Sequence, residues 1–356
     1  MVYLKKIELR NFRCFTSLAL DVDSPVVLLE GNNGSGKTSI IEALHYVCYL
    51  KSFRTSSVRD LIGFGAEGFF IKLVCNEHEI TVGSSGKKRH VTVDRNRVES
   101  YEELRKFYQI VTLTEHDLTV VQESPEARRS FIDHTLLLFY PSLLELFKDF
   151  KTTLENRNTL LFTGRYDQLE LELWTERLFN VTVRIQKERN VLLEKLTSII
   201  INILQPHIQR ACTLSFIYQA KKIDREQEMG FQEFLPYWKS EIFPEEQRFK
   251  RSCFGAHLDD IQILFNTKPA RMFSSRGQQK LIMVLLKMAQ VVFLQEAGRS
   301  TTFLLDDFLT DFDPFMMEQL LELCKRLEAQ LIFTAPSCNN EIFMKIFGKN
   351  IKIITL

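Results

Sequence analysis

The chain has 356 residues, 45% hydrophobic and 26% charged, with 46 basic against 45 acidic side chains and a net charge of +1. This composition is that of a globular fold with a sizeable core, and it excludes a disordered chain or a fibrous repeat. A balance so even confines any anion-binding surface to local clusters. The seven cysteines (14, 48, 75, 212, 253, 324 and 338) are scattered with no C-x-x-C pair, which argues against a zinc site and a disulfide framework and fits a reducing compartment. The first residues turn charged at once and lack a signal-peptide core, and no apolar stretch reads as membrane-spanning, so a cytoplasmic protein with no membrane partner is expected. Phenylalanine is abundant, at 29 residues, and points either to a heavily packed interior or to a compositional bias of the source organism.

In chain order, residues 2–10 alternate as a strand and a second strand is expected near Leu18 to Val22. The apolar run Val26-Val27-Leu28-Leu29 reads as a buried strand. It leads into Gly31-Asn32-Asn33-Gly34-Ser35-Gly36-Lys37-Thr38, which fits G-x-x-x-x-G-K-[ST] at every fixed position. Glycine lets such a loop bring its backbone close to a ligand and aim several N–H groups at one point. Lys37 then supplies a point charge for the β/γ-phosphates, and the Thr38 hydroxyl is a Mg²⁺ ligand. Ile40, Ile41, Leu44, Val47 and Cys48 follow at helical spacing, so the loop opens a helix, whose positive N-terminus favours an anion. ATP with Mg²⁺ is the expected ligand. The polar segment Lys51-Ser52-Phe53-Arg54-Thr55 comes next. Residues 69–98 read as short strands at 70–74, 79–82 and 90–93, with a turn at Gly83-Ser84-Ser85-Gly86. Lys87, Lys88 and Arg89 read either as a solvated hairpin tip or as a nucleic-acid backbone contact. Gln109 to Leu113 reads as another buried strand.

From about Pro125 the texture turns to long helical periodicity. Val181, Ile185, Leu192, Leu196, Ile199 and Ile203 form an apolar stripe that Pro206 ends. About three heptads favour a packed helical lobe over a long coiled coil. Residues 207–250 give little direction. Ser275 is placed to cap an apolar helix over Leu281 to Val292, whose N-terminus can meet an anion. Phe303-Leu304-Leu305-Asp306-Asp307 is an apolar strand ending in two acids, where open α/β sheets bind ligands. Asp306 is placed to hold Mg²⁺ as a Walker B acid, and Asp307 to polarise the attacking water as general base. Asp313-Pro314 reads as a helix start, and Gln330 to Thr334 as a last core strand. Lys37 and Asp306 lie near opposite ends of the chain, with helical sequence between and the S-x-G-Q segment just before the second half. That order is the order of ABC-type ATPase heads, not of kinases or small GTPases.

At these motifs the chain resembles the RecF family, bacterial recombination-mediator ATPases related to SMC-type heads, over nearly its whole length. Leu9-Arg10-Asn11-Phe12-Arg13 is similar to the family's L-x-N-F-R, and Ser275 to Lys280 to its S-x-G-Q-x-K/R. Leu304-Leu305-Asp306-Asp307 matches L-L-D-D, and Gly255 to Asp260 is similar to G-P-H-R-D-D with Ala256 and Leu258 at the Pro and Arg positions. Thr334-Ala335 stands where transporter heads carry a switch histidine.

The resemblance implies an α/β fold, an ABC-type ATPase head with a P-loop core and mixed sheets plus an α-helical second lobe. The expected boundaries are 1–115 and 301–356 for the ATPase lobe and 116–300 for the helical lobe, which ends in the S-x-G-Q segment. It implies slow ATP hydrolysis used as a switch, and a homodimer closed by ATP. Arg13 would contact phosphate in the same subunit, and Ser275, Gly277 and Gln278 would contact the γ-phosphate across the dimer. It implies binding of duplex DNA near single-strand junctions, action with RecR and RecO in loading RecA, and support of repair, replication and the SOS response. The alternatives are an ABC-type subunit coupled to another mechanical task and a small-molecule P-loop kinase. Transporter-type coupling lacks its histidine, and a kinase would hold its two motifs closer together.

Overall fold

The structure, a computed structural model, describes residues 3–76, 78–85, 88–98, 104, 108–208, 212–223, 229–307, 309–336 and 340–356. Lys87, Gly86 and Cys338 lie outside the described residues. Packing divides the chain into two compact units, Met1–Leu118 with Asn202–Ala211 and Ser275–Leu356, and Thr119–Ile201 with Cys212–Ser274.

The first unit is built on two sheets. Five parallel strands stand in the order Ile351–Thr355, Val26–Glu30, Gln330–Ala335, Thr302–Leu305 and Ile110–Leu113. Val26–Glu30, Ile110–Leu113, Thr302–Leu305 and Gln330–Ala335 are buried at every position, the unbroken apolar pattern of parallel strands covered on both faces. The other sheet is antiparallel and six-stranded, and it starts with Phe15–Asp21, Leu4–Phe12, Phe69–Cys75, His78–Ser84 and Arg89–Val93. Here burial alternates, as in Phe69–Cys75, because one face is packed and the other is not. Leu4, Ile7, Leu9, Ile71 and Leu73 join Ile40, Ile41 and Leu44 of the Lys37–Tyr49 helix in one core. Each such side chain contributes about 1.5–3 kcal/mol by leaving water.

The buried Gln330 amide joins the two sheets. Its Oε1 accepts from Leu4 N at 2.8 Å, and its Nε2 donates to the carbonyls of Leu4, Val22 and Ser24. A buried amide satisfied in this way fixes a geometry that an apolar side chain would leave to slide.

The second unit carries the helices Pro125–Phe139, Leu144–Thr163 and Gln168–Ile199 and a three-stranded sheet that includes Leu214–Gln219 and Asp260–Phe265. The stripe predicted from Val181 follows the last of these helices. It stops short of Ile203, which is 40% exposed, because the backbone loosens into a wide turn at Ile200–Leu204 ahead of Pro206.

Three local expectations change. Gly83 is paired in a strand, opposite Phe70 and His90, so the hairpin turn comes after it. The Ser275 helix, Arg276–Glu296, packs in the first unit and not at the end of the helical one, since its contacts run to the Asp307–Asp311 segment and to Glu115 and Asp117. The same 21-residue helix is long and apolar enough to cross a membrane, against the reading that no stretch is, but 83% of its most apolar window is buried inside the protein. Its apolarity is that of a core helix.

Candidate nucleotide site

The P-loop leaves the C-terminal end of the Val26–Glu30 strand and opens directly into the Lys37–Tyr49 helix. Gly34 and Gly36 adopt φ of 85° and 100°, values that side chains with a Cβ reach only under strain. At Gly36 space is also closed, because a Cβ would lie 2.3 Å from the Phe15 ring and 2.9 Å from Cys14 Sγ. The helix that follows has no capping side chain and no acid in its first turn. Its N-terminal N–H groups and the positive end of its dipole are thus left for an anion. Lys37 is 7% exposed, and its Nζ donates to the carbonyls of Gly31 at 2.7 Å and Asn32 at 2.9 Å. These bonds hold the ammonium against the loop.

Strand order brings the acid pair Asp306 and Asp307 here. Gln330–Ala335 lies between the P-loop strand and Thr302–Leu305, parallel to both, with Leu305 opposite Phe333. Asp306 therefore emerges one strand away from the loop. Its Oδ1 accepts from Thr38 Oγ1 at 3.2 Å and from Thr334 Oγ1 at 2.8 Å. Thr334 in turn accepts from Asp307 N at 2.8 Å, and Asp307 sits at a φ of 47°. Burial, reinforced by the Asp307 charge, pushes the Asp306 carboxyl above its usual range, while the two threonine hydroxyls oppose the shift. A hydroxyl and a buried carboxylate meeting beside a phosphate-type loop form a fitting donor pair for a hard divalent cation.

Arg13 stands beside the P-loop helix. It sits at a φ of 54°, and its guanidinium forks onto Glu42 of the P-loop helix, Nε to Oε2 at 2.7 Å and Nη2 to Oε1 at 2.6 Å. Its Nη1 donates to the Asp60 carbonyl. Glu42 is fully buried and also accepts from Ser52 Oγ, with Arg54 Nη1 3.5 Å from Oε2. An acid buried in an otherwise apolar helix needs such partners. Arg13 is thus beside the P-loop helix but engaged with a carboxylate.

Ser275, Gly277 and Gln278 stand elsewhere in the unit. Ser275 Oγ accepts from Gln278 N, and Ser275 N donates to Gln278 Oε1 at 2.9 Å, a closed capping box. Among the described residues, neither Ser275 nor Gln278 hydrogen-bonds the P-loop. A Cβ on Gly277 would lie 2.9 Å from the Asp311 carbonyl, so only glycine lets the helix approach that segment. One turn on, the buried Lys280 ammonium donates to the carbonyls of Asp307 and Thr310, both at 2.9 Å, and to the Thr310 hydroxyl. Arg276 pairs with Glu115 and with Asp311. Asp117 pairs with Lys287 at 2.7 Å.

The expected site thus falls into two groups, Gly31–Thr38 with Asp306 and Asp307, and Ser275–Gln278 at the far end of the Asp307–Asp311 segment. The sequence reading missed Thr334, Glu42 and Lys280 as positioning residues. The signal for Glu42 was an acid within an apolar helical run; Thr334 was findable only from the strand order.

A family model described as the RecF/RecN/SMC N terminal domain matches residues 3–355. A DNA replication and repair protein RecF of Trichlorobacter lovleyi is 28% identical over 338 residues, 94% of this chain and 91% of that protein. One of Exiguobacterium sp. is 29% identical, with 94% and 93% covered. Among solved structures, the recombination mediator protein RecF-ATP in the RecFOR pathway matches with a TM-score of 0.82 at 26% identity, covering 94% of this chain and 92% of that one. The Smc head domain of Pyrococcus furiosus matches with a TM-score of 0.56 at 16% identity, 100% and 93% covered, a likeness of fold.

Proposed function

The chain belongs to the RecF/RecN/SMC N-terminal-domain family, and from that membership we propose that it is an ATP-gated DNA-binding protein of replication and recombinational repair. ATP closes two copies of the chain on duplex DNA near single-strand junctions. Slow hydrolysis to ADP and phosphate releases them, and RecO and RecR are the partners with which it helps to load RecA and supports SOS induction. The observation that carries this reading is the Thr38 Oγ1–Asp306 Oδ1 contact of 3.2 Å across a strand, beside a loop whose lysine and helix N-terminus both offer positive charge.

In this mechanism Gly31, Asn32, Asn33, Gly34, Ser35 and Gly36 wrap the phosphates with backbone N–H groups, and Lys37 leaves its carbonyls to meet the β/γ-phosphates. Thr38 and Asp306 would hold Mg²⁺, which neutralises charge developing on the phosphates. Asp307, clamped through its backbone by Thr334 on one side and Lys280 on the other, polarises the attacking water. Arg13 holds Glu42 through Nε and one Nη2 hydrogen, and a phosphate would take a remaining N–H of the same guanidinium. Ser275, Gly277 and Gln278 serve the γ-phosphate of the partner copy, which explains a capped helix end turned to no nucleotide loop of its own.

The test reads duplex binding and oligomeric state together. ATP with Mg²⁺ is expected to convert a monomer to a dimer and to raise duplex affinity at least about tenfold, about 1.4 kcal/mol. Ser275→Arg is expected to leave ATP binding intact and to keep the protein monomeric with ATP. A protein that stays monomeric with ATP and binds DNA regardless of nucleotide overturns the reading.

A further inference from the structure

We infer that a basic cavity at the end of the P-loop helix seats a backbone phosphate of duplex DNA, an inference that rests on the proposed DNA-binding function and names its contact point. The cavity, about 510 Å³, is walled by residues 50–58 together with Tyr46, Leu61 and His116. None of its lining residues is acidic. Lys51 and Arg54 line it as cations, and Ser56 and Ser57 line it as hydroxyl donors. Both serines are exposed, and among the described residues their hydroxyls have no protein partner. Lys51 is exposed and has no ion pair among the described residues.

A third cation arrives from a separate stretch. Arg89, in the hairpin strand Arg89–Val93, donates from Nη1 to the Leu50 carbonyl at 2.7 Å, at the rim of the cavity. Among the described residues this bond brings the Arg89 charge no countercharge, because a carbonyl accepts the hydrogen bond as a neutral group. The two basic stretches that lie some forty positions apart in sequence are thus brought to one place. In a chain of net charge +1 such convergence is local, not a by-product of overall charge.

Two described acids bond to the loop, and one of them, Glu42, also lies 3.5 Å from Arg54 Nη1. Glu42 is forked by Arg13 and takes Ser52 Oγ, and Asp60 Oδ2 takes Thr55 Oγ1. Neither neutralises Lys51 or Arg89. The loop is also held in shape, because Ser52 Oγ accepts from the N–H groups of both Arg54 and Thr55, at 2.9 and 3.1 Å. Cations presented by an ordered loop lose less entropy on binding than free ones. Beside Tyr46, Leu50, Phe53, Val58 and Leu61 the cavity offers two cations and two exposed hydroxyls, a donor set that suits phosphate, so the contact positions the duplex.

The experiment measures affinity for a short duplex across a salt series, with the full chain plus ATP. Log affinity falls with log salt by about 0.9 per phosphate neutralised. The double variant Lys51→Ala/Arg89→Ala is expected to lower that slope by about 0.9, so that its affinity deficit is about 3.5-fold larger at about 50 mM than at about 200 mM salt. ATP affinity should stay unchanged, since neither residue is in the nucleotide site. Lys51→Arg/Arg89→Lys should restore the slope, and Lys151→Ala, an exposed lysine of the helical unit, should leave it unaltered. An unchanged slope in the double alanine variant overturns the inference while leaving DNA binding itself standing. Displacement of the duplex by millimolar inorganic phosphate at constant ionic strength would assign the cavity to the free anion and also overturns it. A parent protein with no duplex affinity at all overturns the proposed function, and the inference with it.

Discussion

Asp306→Asn is expected to stop nucleotide hydrolysis and at the same time make the fold more stable. Asn has the same shape, and its Oδ1 can still accept from Thr334 and Thr38, so the bridge between the P-loop helix and the Gln330–Ala335 strand survives. What is lost is the charge that would hold Mg²⁺, and turnover should fall at least about a hundredfold. What is gained follows from the raised pKa. Burial makes the ionised carboxylate costly in the folded state, so its folded pKa lies above the ordinary value of 3.8. Such a group contributes stability below 3.8, and that contribution is lost as pH rises through the folded pKa. At neutral pH the parent therefore carries a penalty that Asn lacks. The variant is expected to melt higher than the parent at pH 7. The advantage should shrink as pH falls toward 4. Thermal melts across that range, with hydrolysis assays at pH 7, check both halves. A variant that melts lower at pH 7 would show that the Asp306 charge is needed by the fold and not only by the chemistry.

The largest loss of stability is expected from Glu246→Ala in the helical unit. Glu246 and Arg157 are both fully buried. Arg157 Nη1 and Nη2 donate to the two Glu246 oxygens at 2.8 and 2.6 Å, and two further donors go to Ser252 Oγ and Thr175 Oγ1. Glu246 also accepts from Trp238 Nε1 at 2.9 Å and Cys253 N at 2.9 Å. The guanidinium lies 4.9 Å from the Phe254 ring centroid. Removing the carboxylate leaves a guanidinium in an apolar enclosure with no countercharge, at a cost of about 3–5 kcal/mol. Replacing both partners together, as Arg157→Met with Glu246→Leu, should recover most of that loss, because the pair's attraction roughly offsets its own desolvation. Hydrogen exchange in the Leu144–Thr163 helix, which bears Arg157, reads the effect within the unit. Protection in Glu246→Ala equal to that of the parent would mean that Arg157 finds water there and that the pair is dispensable. ATP binding in the other unit should be spared, which separates this variant from Asp306→Asn.

Much of the nucleotide loop was legible from the residues in a row. Gly34, Gly36 and Lys37 sit where their spacing placed them, because a positive φ and a helix start are properties of a few consecutive residues. The Asp313 cap of the Pro314–Lys325 helix and the Ser275 cap were legible for the same reason. The buried strands were found with edges within a residue or two, since an unbroken apolar run has few other ways to satisfy its backbone. Residues 207–250 were illegible: their Leu214–Gln219 strand is ordered by pairing with Asp260–Phe265, more than forty positions downstream. The placement of the Ser275 helix in the first unit could not be read either. Nothing in an apolar helix names the surface it packs on, whereas Lys280, Arg276 and Lys287 meet carbonyls and carboxylates from two distant segments.

The sequence by itself determined that this chain has a phosphate-cradling loop, a terminal acid pair and a capped helix suited to an anion, because each depends on local backbone geometry. It did not determine how they meet. Strand order set Thr334 between Asp306 and the P-loop, and three-dimensional packing gave Arg13 to Glu42 and carried Arg89 to the rim above Leu50. Those pairings are decided by which strands neighbour one another and in which register. A one-dimensional pattern leaves that choice open, and only burial of the whole core resolves it.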